Sequence, residues 1–359
     1  MARPIVIAAG GTGGHFFPAE ALAAALIRRG ERIVLMTDAR RAAVPSEVFA
    51  GRESFVIRGA GLAGRGLLRA ARGAMGLAGG TVQARTILAD LNAAAVVGFG
   101  GYPAVAPVLA ARSLRARPAI VLHEQNAVAG RANRLLARLA DRFATSFADT
   151  VGAPRDAVLI GNPVRPAIAA LAGRTYAPPG AGAIRVLVLG GSLGARVFSD
   201  IVPDALARHP HRDRIVVTQQ CRAEDLDRVR AAYAASGITV ELATFFGDVA
   251  DRLAAAHLVI ARAGASTVAE LAVAGCPAVL VPLPGAIDDH QSANARALTD
   301  AVVMPQSGFT PDTLATALTQ LDDARLALMA ARAAAVGRSE AAERLADLVQ
   351  SLVPVEARS

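Results

Sequence analysis

The residues of this chain that can do chemistry gather in a few short loops. The first is Gly10-Gly11-Thr12-Gly13-Gly14-His15, between the apolar run Ile5 to Ala9 and an apolar helical stretch that contains Pro18. Glycines let the backbone turn tightly and bring its N–H groups onto a ligand. A following helix N-terminus adds partial positive charge, so the loop suits phosphate. A dinucleotide fingerprint needs a third small residue at position 16, where this chain has Phe16. The loop therefore speaks for a phosphate-bearing nucleotide and against an ordinary nicotinamide site, although a lone turn of this kind is equally compatible with a structural role.

Polar residues recur at the ends of later apolar runs. Tyr102 follows Gly98-Phe99-Gly100-Gly101, and His123-Glu124-Gln125-Asn126 ends the run Ala119 to Leu122. In an open parallel sheet, ligands sit at the carboxyl ends of strands, so His15, Tyr102, Glu124 and Asn126 fall where a site belongs. Each taken singly is equally a cap or turn residue. His15 and Glu124 have the chemistry of a general base.

These loops need elements to hold them. A helix entered near Pro18 and stopped at Gly30 follows the first strand, and a second strand spans Arg32 to Met36. Further strands are expected at Ala94 to Gly98 and Ala119 to Leu122. Gly161-Asn162-Pro163-Val164 reads as a domain boundary. The opening theme then returns as Arg185 to Leu189 followed by Gly190-Gly191-Ser192-Leu193-Gly194, with Ser192 a candidate N-cap and phosphate donor. Strands at Ile215–Thr218, Thr239–Leu242, Leu258–Ala261 and Ala278–Pro282 follow, and from Asp312 the pattern is helical. The expected fold class is α/β: two Rossmann-like, doubly wound parallel-sheet domains facing a cleft, with a sugar nucleotide between them. The expected divisions are 1–162, 163–338 and a closing helix, 339–359, packing back toward the first domain.

Between Glu53 and Asp90 no acidic residue occurs, while Arg58, Arg65, Arg69, Arg72 and Arg85 do. A helix over Gly66 to Met75 places Leu67, Ala71 and Met75 on one stripe, with Leu68 beside it and Arg65, Arg69 and Arg72 on a neighbouring one. An apolar stripe beside arginines suits the surface of an anionic bilayer, and equally an ordinary core-facing helix. The glycines at 61, 64, 66, 73, 76, 79 and 80 argue for a mobile segment.

Composition narrows the function classes. The chain of 359 residues is 53% hydrophobic with a net charge of +8, and its basic residues are all arginine. Such charge suits phosphorylated substrates or an anionic membrane, whereas 4% aromatic residues and missing nucleic-acid motifs set nucleic acid aside. Cys221 and Cys276 lack metal-ligand spacing and read as buried free thiols. Asp225-Leu226-Asp227 reads as solvated surface rather than a metal–diphosphate motif. No secretory signal is expected ahead of the first strand, and glycine and proline interrupt the long uncharged run Ala93 to Ala111, which argues against a membrane span.

Taken in order, Gly10 to His15, His123 to Asn126, Gly161-Asn162-Pro163-Val164-Arg165, Gly190-Gly191-Ser192, Arg262-Ala263-Gly264-Ala265 and His290-Gln291 with Asn294 resemble one family over nearly the whole chain. It is the bacterial N-acetylglucosaminyltransferases that complete the lipid-linked disaccharide-pentapeptide of peptidoglycan. The resemblance implies a GT-B fold and inverting transfer of GlcNAc from UDP-GlcNAc to the C4 hydroxyl of undecaprenyl-diphospho-N-acetylmuramoyl-pentapeptide. It implies donor contacts at Ser192 for the diphosphate, the Phe246 backbone for uracil, and Ala265, Ser266, Thr267, Val268, Ala269 and Glu270 around the nucleotide, Glu270 accepting from the ribose hydroxyls. Gln291 would meet the GlcNAc and Arg165 approach from the hinge, while Thr12, Gly13, Gly14 and Asn126 act from the first domain, with Tyr102 on the acceptor side. It also implies docking on the cytoplasmic side of the inner membrane through Arg65, Leu67, Leu68, Arg69, Arg72, Met75 and Leu77. No cofactor and no metal site are expected, though a divalent cation could assist; other cell-wall synthesis proteins are further candidate partners. The family usually carries Gln where this chain has Leu193. The competing readings are another sugar-nucleotide enzyme such as a different glycosyltransferase or a UDP-GlcNAc 2-epimerase, a nicotinamide dehydrogenase, and a non-enzymatic membrane-surface protein.

Overall fold

The computed structural model describes residues 2–11, 13–42, 46–58, 67–191 and 194–353, with the side chains at 40, 41 and 67–71 outside that description. The chain forms two compact units, residues 1–165 with 340–359, and residues 166–339.

The first unit is built on a parallel sheet of β1 (Ile5–Ala8), β2 (Ile33–Thr37), β3 (Ser54–Val56), β4 (Ala95–Gly98), β5 (Ala119–Glu124), β6 (Arg142–Thr145) and β7 (Val158–Leu159). Its order is β3-β2-β1-β4-β5-β6-β7. The central strands are continuous apolar runs because helices cover both faces, so no residue need alternate outward. On one face Phe16, Leu22 and Leu26 of the Gly13–Arg28 helix pack with Leu345 and Val349 of the last helix, Ala341–Ser351. Arg29 fastens the two helices through Glu343, Asp347 and Gln350. The first helix begins at Gly13, so Pro18 lies inside it rather than at its first position. Phe16 draws this early turn into the core, its ring tilted against that of Phe49 with 5.7 Å between centroids.

Within the segment expected to be mobile, residues 67–90 form one helix, Leu67–Asp90, while the glycines at 61, 64 and 66 lie outside the described residues. Of the helix's glycines, Gly80 permits close packing. A Cβ on Gly80 would overlap the Arg58 carbonyl oxygen, and Gln83 binds the same strand end through Arg58 N and Val56 O at 3.0 Å each. Ala84 and Leu88 are buried in the core, with Leu77 half-buried against it. Leu77 therefore turns inward and is not part of an outer stripe. Arg72, Met75 and Val82 remain exposed. Arg65 lies outside the described residues, as do the side chains of Leu67, Leu68 and Arg69.

The second unit repeats the plan with β8 (Ile184–Leu189), β9 (Ile215–Gln220), β10 (Thr239–Ala243), β11 (Leu258–Ala261), β12 (Ala278–Leu280) and β13 (Val302–Val303), in parallel order β10-β9-β8-β11-β12-β13. Both cysteines are free and buried. Asp225 departs from the expected solvated surface. It is 4% exposed and hydrogen-bonded to Arg228 at 2.8 Å, which holds its carboxyl below the usual carboxylate range, whereas Asp227 is fully exposed. Among the described residues no group of three or more His, Cys, Asp or Glu is placed to hold a metal ion, and no helix is long and apolar enough to cross a membrane.

Candidate active site

In each sheet the strand order reverses beside the first strand of the unit, between β1 and β4 and between β8 and β11. The loops leaving the carboxyl ends of such a pair diverge to opposite faces and open a crevice, where doubly wound proteins bind ligands. Both glycine loops of this chain leave those positions.

In the first unit the loop after β1 is held from the side. Gly11 N–H donates to Asp38 Oδ2 at 2.7 Å, and Gly11 has φ +74°, a left-handed turn that favours glycine. Asp38 stands at the end of β2, where a dinucleotide fold places a ribose carboxylate. Here that carboxylate pins the loop. Gly13, Gly14 and His15 then open the helix, with Tyr102 exposed in the first turn of the Gly101–Ser113 helix after β4. A Cβ on Gly101 would stand 3.8 Å from His15 Nε2, so the two loops meet at the His15 ring. The Arg165 guanidinium lies 5.3 Å from the ring centroid of Phe17, two residues beyond His15.

β5 runs two residues further than its apolar stretch, so His123 and Glu124 lie within the strand and are buried. Glu124 accepts from Asn126 N at 3.0 Å and Asn126 Nδ2 at 3.2 Å on one oxygen, and from Gly130 N at 2.9 Å and Asn133 Nδ2 at 2.8 Å on the other. These four donors occupy the lone pairs a base would use. The geometry makes Glu124 an anchor for the loop that carries Asn126. His15 Nδ1 instead faces Gln125 Oε1 at 2.8 Å. Gln125 Nε2 is 3.0 Å from both His123 Nδ1 and the His123 carbonyl oxygen, and His123 Nε2 is 2.9 Å from the Gly161 carbonyl oxygen.

Burial of the His123 ring disfavours its charged form and pushes its pKa down to about 4 from 6.5, outweighing its bond to the Gly161 carbonyl and the nearby Glu124 charge. With the folded value below the unfolded one, the ring's contribution to stability is complete above pH 6.5 and is lost as pH falls toward 4. Between pH 7 and pH 5 this linkage amounts to about 2 kcal/mol. Denaturant unfolding at the two pH values should show His123→Gln losing about 2 kcal/mol less than the parent; equal losses would rule the linkage out.

In the second unit the loop Gly190 to Gly194 precedes the Arg196–Ala207 helix, whose N-cap is Ala195 rather than Ser192. Ser192 and Leu193, like Thr12 in the first loop, lie outside the described residues. A Cβ on Gly190 would overlap the Ala195 amide nitrogen, so the turn closes on itself at a position only glycine can fill. Across the switch point, Gly264 caps the Ala265–Ala274 helix without a side-chain hydrogen bond. Two helix N-termini thus stand at the two strand ends, the arrangement that stabilises a diphosphate. Ala265, Ser266, Thr267, Val268, Ala269 and Glu270 occupy the first half of that helix, with Ala265, Val268 and Glu270 buried. Phe246 follows β10 with its ring under the Arg252 guanidinium at 4.0 Å from the centroid. Arg252 is itself held by Glu241 and Asp248, which fixes the Phe246 ring and the loop it belongs to. Gln291 opens the helix after β12 and accepts from Leu283 N at 3.0 Å.

The structure therefore groups Gly13, Gly14, His15, Tyr102, Glu124, Asn126 and Arg165 in the first unit. Phe246, Ala265 to Glu270 and Gln291 occupy loop ends on the carboxyl side of the second sheet. Sequence reasoning passed over Asp38, Gln125 and Asn133 as site builders. For Asp38 and Gln125 the signal was position, a polar side chain just past the carboxyl end of a strand otherwise apolar on both faces, whereas Asn133 lies within the following Arg131–Leu136 helix and carries no such signal.

Residues 5–145 match the glycosyltransferase family 28 N-terminal domain and residues 185–351 its C-terminal domain. A protein of Granulibacter bethesdensis named UDP-N-acetylglucosamine–N-acetylmuramyl-(pentapeptide) pyrophosphoryl-undecaprenol N-acetylglucosamine transferase is 61% identical over 97% of this chain and 93% of its own. One of the same name from Acidiphilium cryptum is 58% identical, covering 100% and 99%. The crystal structure of Acinetobacter baumannii MurG superposes with a TM-score of 0.79 at 31% identity, covering 98% of this chain and 100% of that one.

Proposed function

This chain belongs to glycosyltransferase family 28 and has the GT-B fold, and from that premise we propose that it moves GlcNAc from UDP-GlcNAc to the C4 hydroxyl of undecaprenyl-diphospho-N-acetylmuramoyl-pentapeptide, releasing UDP. The observation that carries the chemistry is what each sheet holds at its own switch point: a histidine loop in the first unit and two helix N-termini in the second.

His15 Nε2 takes the proton of the acceptor hydroxyl as its oxygen bonds to the anomeric carbon. The bond from that carbon to the diphosphate breaks on the opposite side, inverting the centre, and its electron pair leaves with UDP. The N–H groups at the N-termini of the Arg196–Ala207 and Ala265–Ala274 helices receive the growing negative charge. Glu270 accepts from the ribose, the Phe246 backbone meets the uracil and Gln291 meets the sugar. Arg165 and Asn126 contact substrate from the first unit, with Tyr102 beside the acceptor. Thr12 and Ser192 are assigned by their loops alone.

The acceptor is anchored in a membrane, which calls for a surface contact. The exposed face of the Leu67–Asp90 helix at Arg72, Met75 and Val82, together with Arg65 and Arg69, supplies charge and apolar area for the cytoplasmic side of an anionic inner membrane.

Purified protein given radiolabelled UDP-GlcNAc and the lipid-linked muramyl-pentapeptide in anionic vesicles should move label into the lipid phase with one UDP released per transfer. Absence of both label and UDP would refute the reading. In the same vesicles, combined Arg65, Arg69 and Arg72→Ser substitution should lower the bound fraction several-fold; undiminished binding would place the membrane contact elsewhere.

A further inference from the structure

We infer that Gln125 and His123 are positioning residues that hold neutral His15 as its Nδ1–H tautomer and so present the Nε2 lone pair to the acceptor hydroxyl, an inference that rests on His15 being the base. The argument starts from two groups with no choice of role. The Gly161 carbonyl can only accept, so the His123 nitrogen 2.9 Å away, Nε2, carries that ring's proton. A neutral imidazole has one N–H, so His123 Nδ1 is an acceptor. The His123 carbonyl also can only accept, and the Gln125 nitrogen 3.0 Å from it must donate. The same nitrogen, 3.0 Å from His123 Nδ1, supplies the donor that ring requires. Both contacts fix the amide's orientation, since a flipped amide would set its oxygen against a carbonyl and a lone pair. Gln125 Oε1 is thereby aimed at His15 Nδ1 at 2.8 Å, and as an acceptor it demands a proton there.

The relay runs in one direction from a backbone carbonyl to the base. It keeps that direction because buried His123 stays neutral down to about pH 4. Free imidazole side chains prefer the opposite tautomer, with the proton on Nε2, which would leave His15 unable to accept the acceptor's proton. The amide also turns the ring toward Gly101 and holds it there, the service an orienting group performs for a catalytic histidine.

The test is nitrogen-15 NMR of histidine-labelled protein, which has six histidines to assign. His15 should report its proton on Nδ1 and His123 on Nε2 at neutral pH. In Gln125→Leu the His15 population should move toward Nε2–H, with kcat reduced by about 10²-fold and KM for UDP-GlcNAc changed less than about threefold. The measurement on the unsubstituted protein stands whether or not that variant folds. A His15 proton on Nε2 in the parent, or a folded Gln125→Leu that keeps kcat within about threefold, overturns the inference. A His15→Ala protein of near-parent activity overturns instead the base assignment beneath it, and leaves the tautomer readings as they are.

Discussion

His15→Ala is expected to lower kcat by about 10³-fold, the middle of the range for removing a positioned general base, with KM for UDP-GlcNAc changed by less than about threefold. The split follows from placement. His15 belongs to the first unit, while the residues proposed to hold the donor lie in the second, so the loss falls on the chemical step and not on donor binding. His15→Asn separates basicity from packing. An asparagine Nδ2 sits where the imidazole Nδ1 did and can donate to Gln125 Oε1, so the loop stays tied, yet the amide offers no basic nitrogen. Both variants should therefore be equally inactive, with His15→Asn the more stable. Single-turnover transfer at saturating donor measures this directly. An Asn variant within tenfold of the parent would mean that the ring merely orders the loop.

The sheets were readable because each central strand is an apolar run followed by a turn and a helix. β1, β4, β8, β9 and β11 lie where Ile5–Ala9, Ala94–Gly98, Arg185–Leu189, Ile215–Thr218 and Leu258–Ala261 indicated, to within a residue or two. The edges were not. β3, β7 and β13 are two or three residues long and partly exposed, and so short a run carries no period. The glycines of the Leu67–Asp90 helix misled for a different reason. Intrinsic preference disfavours glycine in a helix, but Gly80 is there because a neighbouring backbone leaves no space for a Cβ, and that neighbour is not visible in a local window.

The site divided in the same way. Glycine loops, the histidine ending one of them and the polar residues at strand ends are local features, and they marked the right places. What each residue does depends on partners far away in sequence. His15 meets Gln125 across 110 residues and His123 meets Gly161 across 38. From the sequence, His15 and Glu124 stood as the two candidates for the base, with only a slight preference for His15. Only the count of donors around each separates them.

That count gives the second large prediction. Glu124 is 1% exposed, and its two oxygens take four hydrogen bonds, from Asn126 N and Nδ2, Gly130 N and Asn133 Nδ2. Glu124→Gln replaces one acceptor oxygen by an NH2. Whichever way the amide turns, that group faces two donors, and the expected cost is about 2–4 kcal/mol of unfolding free energy. Glu124→Ala removes all four acceptor contacts and should cost about 3–5 kcal/mol. Asn133 also donates to the His123 carbonyl and lies 3.0 Å from where a Cβ on Gly100 would stand, so loosening it disturbs the ends of β4 and β5 together. Folded Glu124→Gln, assayed well below its unfolding midpoint, should show KM for the lipid acceptor raised by about tenfold and kcat within tenfold of the parent, because the damage is to the loop carrying Asn126 and not to the proton acceptor. A Glu124→Gln protein as stable as the parent, with kcat reduced by about 10³-fold, would transfer the role of base from His15 to Glu124. Measuring denaturant unfolding and kcat on the same preparation decides between them, since an anchor loses stability first and a base loses turnover alone.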